Sequence, residues 1–160
     1  MKPILLTLVL ISTGLAHAAQ MADSVVVNKS DRTLMLMSNG QVLKSYRIAL
    51  GGDPLGHKRQ EGDQKTPEGS YVLDYKKSDS SFYKSIHISY PNAADEAQAK
   101  KRGVSPGGFI MIHGQKNGFG WLGTVAQQWD WTDGCIAVTN SEMEEIWQMV
   151  AEGTPIQINP

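Results

Sequence analysis

Apolar positions along the chain come mostly in runs too short for helices. Ser24 to Asn28 is a β-branched run, Thr33 to Met37 is a second run, and Gln41 to Leu50 follows after Asn39-Gly40. Asn-Gly between two such runs is a strong hairpin signal, because both residues tolerate the left-handed backbone of a tight two-residue turn. Leu34-Met35-Leu36-Met37 is apolar at consecutive positions, which predicts a strand covered on both faces. Residues 51–69 are polar, with five glycines and two prolines, and read as a long loop ending in the turn Thr66-Pro67-Glu68-Gly69. Tyr71 to Tyr75 and Ile86 to Tyr90 read as further strands, and in the second Ile86 and Ile88 alternate with His87 and Ser89.

Two stretches read as helices. Residues 93–102 are polar and Ala-rich, and Gly103 follows as a natural left-handed stop. Near the end, Ser141-Glu142-Met143-Glu144 has the form of a capping box, with Met143, Ile146, Trp147 and Val150 at helical spacing and Gly153 as the stop. Between them, Phe109 to Ile112 predicts an apolar strand leading into His113-Gly114. Residues 115–131 hold three of the four tryptophans with no period and read as a loop. Pro155 to Asn159 closes the chain as a strand. Short strands with two helices predict a compact mostly β or α+β domain.

Composition narrows this without changing it. A length of 160 residues suits one domain. Hydrophobic residues at 41% and charged residues at 19% are an ordinary globular balance. A net charge of -1 disfavours a nucleic-acid partner. Residues 1–18 read as a secretory signal peptide: Lys2, then an apolar stretch from Ile4 to Ile11, then Ala16-His17-Ala18 as a small-x-small cleavage site. The domain is then 19–160, exported or periplasmic, with no lipid-attachment cysteine at the cleavage site and no integral membrane segment after cleavage. A single cysteine allows no internal disulfide. In an oxidising compartment Cys135 is either buried and inert or kept for its chemistry.

Its neighbours favour chemistry. In Trp131-Thr132-Asp133-Gly134-Cys135-Ile136 the thiol sits at a glycine-flanked bend, where backbone N–H groups are free to hold an oxyanion. His113-Gly114 ends an apolar strand, and an imidazole that takes the thiol's proton makes it a nucleophile. Such a pairing predicts a thiol more acidic than free cysteine. A buried cysteine and an unrelated strand-end histidine remain the bland alternative. His87 reads as a solvent-facing strand residue, and His57 lies in the charged loop without metal-ligand spacing. The chain has no phosphate loop, dinucleotide fingerprint or serine elbow, so no cofactor or metal is expected. Asp133 reads as a turn-forming or solvent-facing residue.

These motifs resemble, in order, those of the L,D-transpeptidase catalytic domain (YkuD) family. The resemblance rests on Thr66-Pro67-Glu68-Gly69-Ser70-Tyr71, Ile112-His113-Gly114, Thr132-Asp133-Gly134-Cys135-Ile136 with Asn140, and the closing Gly153 to Ile158. It implies a β-sandwich of short strands with two helices. It implies Cys135 as nucleophile, His113 as general base, and the Gly114 carbonyl as the group fixing the imidazole tautomer. Amides around Gly134 and Cys135 would form the oxyanion hole and Thr132 would shape the bend. Tyr90 and Trp131 would contact substrate. The substrate class implied is the peptidoglycan stem peptide, cleaved after its third residue through a thioester. The acceptor would be another stem, a wall-linked protein or a D-amino acid. Two positions depart from the commonest family pattern: Asp133 stands for a histidine and Ala137 for an arginine. Tyr90-Pro91-Asn92 with Asp95 resembles a branch that includes hydrolytic members, so water is the alternative acceptor. A silent wall-binding module is the reading from another class, and it needs neither Cys135 nor His113.

Overall fold

A computed structural model describes residues 20–160, so the segment read as a signal peptide lies outside the described residues. The fold starts from a β-branched run. In β1 (Ser24–Asn28) Val25 and Val27 are fully buried while their neighbours alternate outward. In β2 (Thr33–Ser38) Leu34 and Leu36 point inward and Met35 and Met37 lie half-buried on the other face. The second face is therefore only partly covered. Asn39 and Gly40 both take positive φ (51° and 74°) and turn the chain into β3 (Gln41–Arg47), as the hairpin signal requires.

Eight strands form one mixed, curled sheet in the order β3-β2-β1-β8-β4-β5-β6-β7. The last strand, β8 (Thr154–Asn159), enters the middle, parallel to β1 and antiparallel to β4 (Gly69–Ser80). Strand β4 is 12 residues long, well beyond Tyr75, and pairs across two irregularities with β5 (Tyr83–Ile88). Then come β6 (Met111–His113) and the two-residue β7 (Ile136–Ala137). Phe109 has a positive φ of 55°, so regular pairing begins two residues later than the apolar run alone predicts.

The two ends of the sheet meet. Ala49, just past β3, exchanges both backbone hydrogen bonds with Ala137 on β7, at 3.0 and 2.8 Å. Inside this curl, Ile86, Ile112, Ile136, Ile156 and the strand residues above pack with Met143 and Ile146 of α2 (Asn140–Met149). The architecture is mostly β with three helical segments, an α+β arrangement.

Both α-helices are where the pattern puts them, but one cap is not. Helix α1 (Ala93–Arg102) starts at an Asn92–Asp95 capping box and ends on left-handed Gly103. Helix α2 starts two residues before the expected box. Thr139 is its N-cap, accepting from the Glu142 amide while Glu142 accepts from the Thr139 amide. The rival box fails because the Glu144 carboxylate is drawn to Lys84 and Tyr83 instead. Gly153 is not the helix stop either, since α2 ends at Met149 and Gly153 turns the chain into β8. Residues 120–127 form a 3-10 segment, broken at Gly123, where a loop was expected.

The 51–69 loop is anchored rather than loose. The buried Lys29 ammonium donates to the Gly56 and Thr66 carbonyls and to Glu68. Lys58, also buried, pairs with Asp63 at 2.8 Å. No helix among the described residues is long and apolar enough to cross a membrane.

Candidate active site

Parallel pairing of β6 and β7 sets Ile112 beside Ile136 and His113 beside Ala137. One step back along both strands, Cys135 comes level with Met111. Side chains alternate along a strand, so Met111 and His113 share a face, as do Cys135 and Ala137. Register alone thus carries the thiol and the imidazole to one side of the sheet. Both line a cleft of about 540 Å³, with Phe82, Phe109 and Trp131 around them.

The bend that holds Cys135 is fastened by Thr132. Its Oγ1 accepts from the Gly134 amide at 3.1 Å and donates to the Cys135 carbonyl at 2.7 Å. Its backbone bridges to the loop, taking the Gly52 amide and giving its own to Leu50. Gly134 has φ 122°, and a Cβ there would stand 2.6 Å from the Lys65 carbonyl oxygen, so only glycine fits. The expected free amide at Gly134 is accordingly occupied by Thr132. The amides of Asp133 and Cys135 make no hydrogen bond among the described residues.

His113 is buried, between Phe82 at 4.6 Å and Trp131 at 5.8 Å, ring centre to ring centre. Its Nδ1 lies 2.5 Å from the Gly114 carbonyl oxygen. A carbonyl only accepts, so Nδ1 carries the hydrogen and Nε2 keeps its lone pair. Burial pulls the imidazole down to about 4, against the opposing effect of that hydrogen bond. Gly114 is itself hemmed in, since a Cβ there would meet Asn140 Oδ1 at 2.7 Å and Tyr83 at 2.9 Å. The same Asn140 oxygen accepts from the Gln115 amide at 2.8 Å, fixing the turn that aims the Gly114 carbonyl.

Cys135 is half-buried, and its thiol contacts the Phe109 carbonyl at 3.7 Å. Burial pushes the thiol above its ordinary value. A hydrogen bond from the Met111 amide opposes this, Asp133 adds to it and Lys58 opposes it. The expectation of an acidified thiol is therefore corrected: desolvation outweighs the favourable contacts. Burial thus disfavours both the thiolate and the imidazolium, and the thiol hydrogen-bonds Phe109 rather than His113.

Asp133 is exposed at the cleft without a hydrogen bond to a described residue, so it faces solvent and does not cap the turn. Ala137 is buried and tied to Ala49, with no side chain to reach the cleft. Trp131 lines the cleft. Tyr90 does not. It is buried outside the cleft lining, its hydroxyl donates to the Pro106 carbonyl, and its ring packs edge-on to Tyr71 and His57. Asp95 belongs to that same network, accepting from Tyr71 and from His57 Nε2. His57 Nδ1 takes the Glu68 amide, so both ring nitrogens are committed to structure. His87 is largely covered, stacked on Tyr75 at 4.5 Å and paired with Asp74, where a solvent-facing residue was expected.

Phe82 and Lys116 escaped the sequence reading. Phe82 reaches the cleft only because β4 runs on to Ser80, and no motif marks that length.

The chain is similar to several known proteins. YafK of Escherichia coli (strain K12), an L,D-transpeptidase by name, is 35% identical over 132 residues, 79% of this chain and 46% of that protein. The helical cell shape determining protein Pgp2 of Campylobacter jejuni matches with a TM-score of 0.64 at 29% identity, covering 84% of this chain and 46% of that one. An Enterococcus faecium L,D-transpeptidase shares the fold at 15% identity and a TM-score of 0.57, over 87% of this chain and 50% of that one. The chain thus spans about half the length of these relatives. The family described as L,D-transpeptidase catalytic domain matches residues 22–158, including the whole Cys135–His113 cleft, and the chain belongs to that family.

Proposed function

We propose that this protein is a cysteine acyl-transfer enzyme acting on peptidoglycan stem peptides, exported by cleavage after residue 18. The observation that carries the reading is the orientation of His113. Its Nδ1–H is held by Gly114, which leaves Nε2 as a base inside the cleft that Cys135 lines.

The chemistry follows from two neutral partners. Nε2 takes the proton from Sγ as sulfur attacks the carbonyl carbon of the third stem residue. The carbonyl oxygen gains the negative charge, and the unoccupied amides of Asp133 and Cys135 are the donors suited to it. When the intermediate collapses, the C–N bond breaks, the imidazolium proton goes to the departing amine, and a Cys135 thioester remains. An acceptor amine then gives its proton to Nε2 and displaces sulfur, which recovers its proton. A stem, a wall-linked protein or a D-amino acid can supply that amine. Water in the same place gives hydrolysis. A relative named for transpeptidation favours the amine. No cofactor or metal takes part in this scheme.

Incubation of the mature protein with disaccharide tetrapeptide and pentapeptide, with and without a D-amino acid, tests the reading by mass spectrometry. Dimer or exchanged product supports transfer. Trimmed tripeptide alone replaces transfer with hydrolysis, and unaltered substrate rejects both.

A further inference from the structure

The chain leaving β6 carries a cation into the cleft lining. Lys116 stands just past His113-Gly114-Gln115 and lines the cleft together with His113. Its backbone lies between two anchored neighbours. The Gln115 amide donates to Asn140 Oδ1. Asn117 is tied to the turn between β4 and β5: its amide donates to the Ser81 carbonyl, its Nδ2 to the Ser80 carbonyl, and its Oδ1 accepts from the Tyr83 amide. The main chain at Lys116 is therefore fixed, while its side chain is exposed on a flexible four-carbon stem.

Besides the imidazole, three ionisable side chains other than the thiol line the cleft: Lys77, Lys116 and Asp133. Lys77 pairs with Asp79 at 2.9 Å. The Lys116 ammonium makes no ion pair or hydrogen bond with a described residue, so it is the uncommitted cation of the cleft. Asp133 belongs to the Cys135 segment, and Lys116 to the His113 segment. The two unpaired charges thus mark the two sides of the reacting centre. An anionic substrate group is repelled from the nucleophile's side and attracted to the base's side.

The reaction fixes which group that is. The departing amine takes its proton from His113 Nε2, so the leaving nitrogen lies against the imidazole. In an α-amino acid the nitrogen and the carboxylate are bonded to the same carbon. A terminal amino acid that leaves therefore places its carboxylate beside His113. Three residues of chain span at most about 11 Å, which keeps Lys116 near the same point. We propose that the Lys116 ammonium binds the α-carboxylate of the terminal residue that departs and, in the second half of the reaction, that of an α-amino acid entering as acceptor. Lys116 thereby selects stems with a free terminal carboxylate over stems whose terminus is blocked. The proposal rests on the acyl-transfer reading, but recognition of the carboxylate does not itself require turnover.

The test compares disaccharide tetrapeptide with the same compound carrying a terminal carboxamide, which keeps the shape and removes the charge. Wild-type kcat/KM should favour the acid at least about fivefold, chiefly through KM, as expected for a charge-assisted contact at an exposed side chain. Added salt should shrink the preference. Lys116→Met should bring the two substrates within about twofold of each other, and Lys116→Arg should restore the preference. Lys77→Met should keep it, because Asp79 already holds that ammonium. Equal rates on the two substrates in the wild type, a preference that survives Lys116→Met, or one that is lost in Lys77→Met instead overturns the assignment. Titration of Cys135→Ala with the acid and with the carboxamide, followed by tryptophan fluorescence, should show the same preference in Kd and its loss when Lys116→Met is added. If neither substrate turns over, the acyl-transfer reading fails, while the titration still decides whether Lys116 reads the carboxylate.

Discussion

The Nδ1 atom of His113 stands 2.5 Å from the carbonyl oxygen of its own neighbour, Gly114. A backbone carbonyl thus does what a carboxylate does in other triads, orienting the ring without bringing a charge. The Gly114 hydrogen bond opposes burial only in part, and burial prevails, pulling the imidazole down to about 4. The base is therefore neutral across the whole physiological range.

That depression links the site to stability. A histidine whose native value lies below its unfolded value of ~6.5 stabilises the fold fully above that value. The contribution falls as pH drops through 6.5 and is lost below about 4, because the unfolded chain then binds the proton more readily. The shift corresponds to about 3 kcal/mol at most. Urea midpoints taken from pH 7 to pH 4 should fall more steeply in the wild type than in His113→Gln. Parallel curves would contradict the buried neutral imidazole. His113→Ala should also lower turnover at least about a hundredfold, the low end for loss of a general base.

The thiol gives a second test. Burial and Asp133 raise Cys135, so its alkylation rate should rise with pH through an inflection above the ~8.5 of free cysteine. Asp133→Asn removes one of the two raising influences and should move the inflection down. The side chain is exposed, so turnover should change by less than about tenfold. An inflection below 8.5 in the wild type would mean a preformed ion pair and a different first step.

Thr132 holds the nucleophile's bend through two hydrogen bonds of one hydroxyl. Thr132→Val keeps the shape and leaves the Gly134 amide and the Cys135 carbonyl without that partner. A loss of about 1–3 kcal/mol in denaturant unfolding is expected, with a lower kcat. Thr132→Ser, which restores the hydroxyl, should recover both, and failure of that rescue would place Thr132 outside the site's support.

Export is tested by N-terminal sequencing of protein recovered outside the cytoplasm. The sequence expects Ala19 as the first residue, and retention of Met1 would contradict it.

Much of this site could be read from residue order. Asn39-Gly40 named its hairpin because left-handed φ is a local property of two residues. Cys135 and His113 were legible because glycines flank them at bends where a Cβ would collide with backbone or a neighbouring side chain. Other features depend on contacts distant in sequence. Thr139 displaces Ser141 as the α2 cap because Lys84 and Tyr83, remote in the chain, capture Glu144. Tyr90 stands beside a suggestive motif, yet its ring packs on Tyr71 and its hydroxyl goes to Pro106, contacts that only the folded chain makes. A neighbouring histidine is visible in sequence, whereas the desolvation that raises the thiol is a property of the closed sheet.

The central claim is that Cys135 becomes acylated by a stem peptide. Intact-protein mass spectrometry of mature enzyme, mixed with disaccharide tetrapeptide and quenched in acid within seconds, reads this directly. The account predicts a gain equal to the disaccharide-tripeptide acyl group less one hydrogen, mapped to Cys135, with release of the terminal amino acid. The adduct should be absent in Cys135→Ala. Product formation by Cys135→Ala, or an adduct on any other residue, would contradict it.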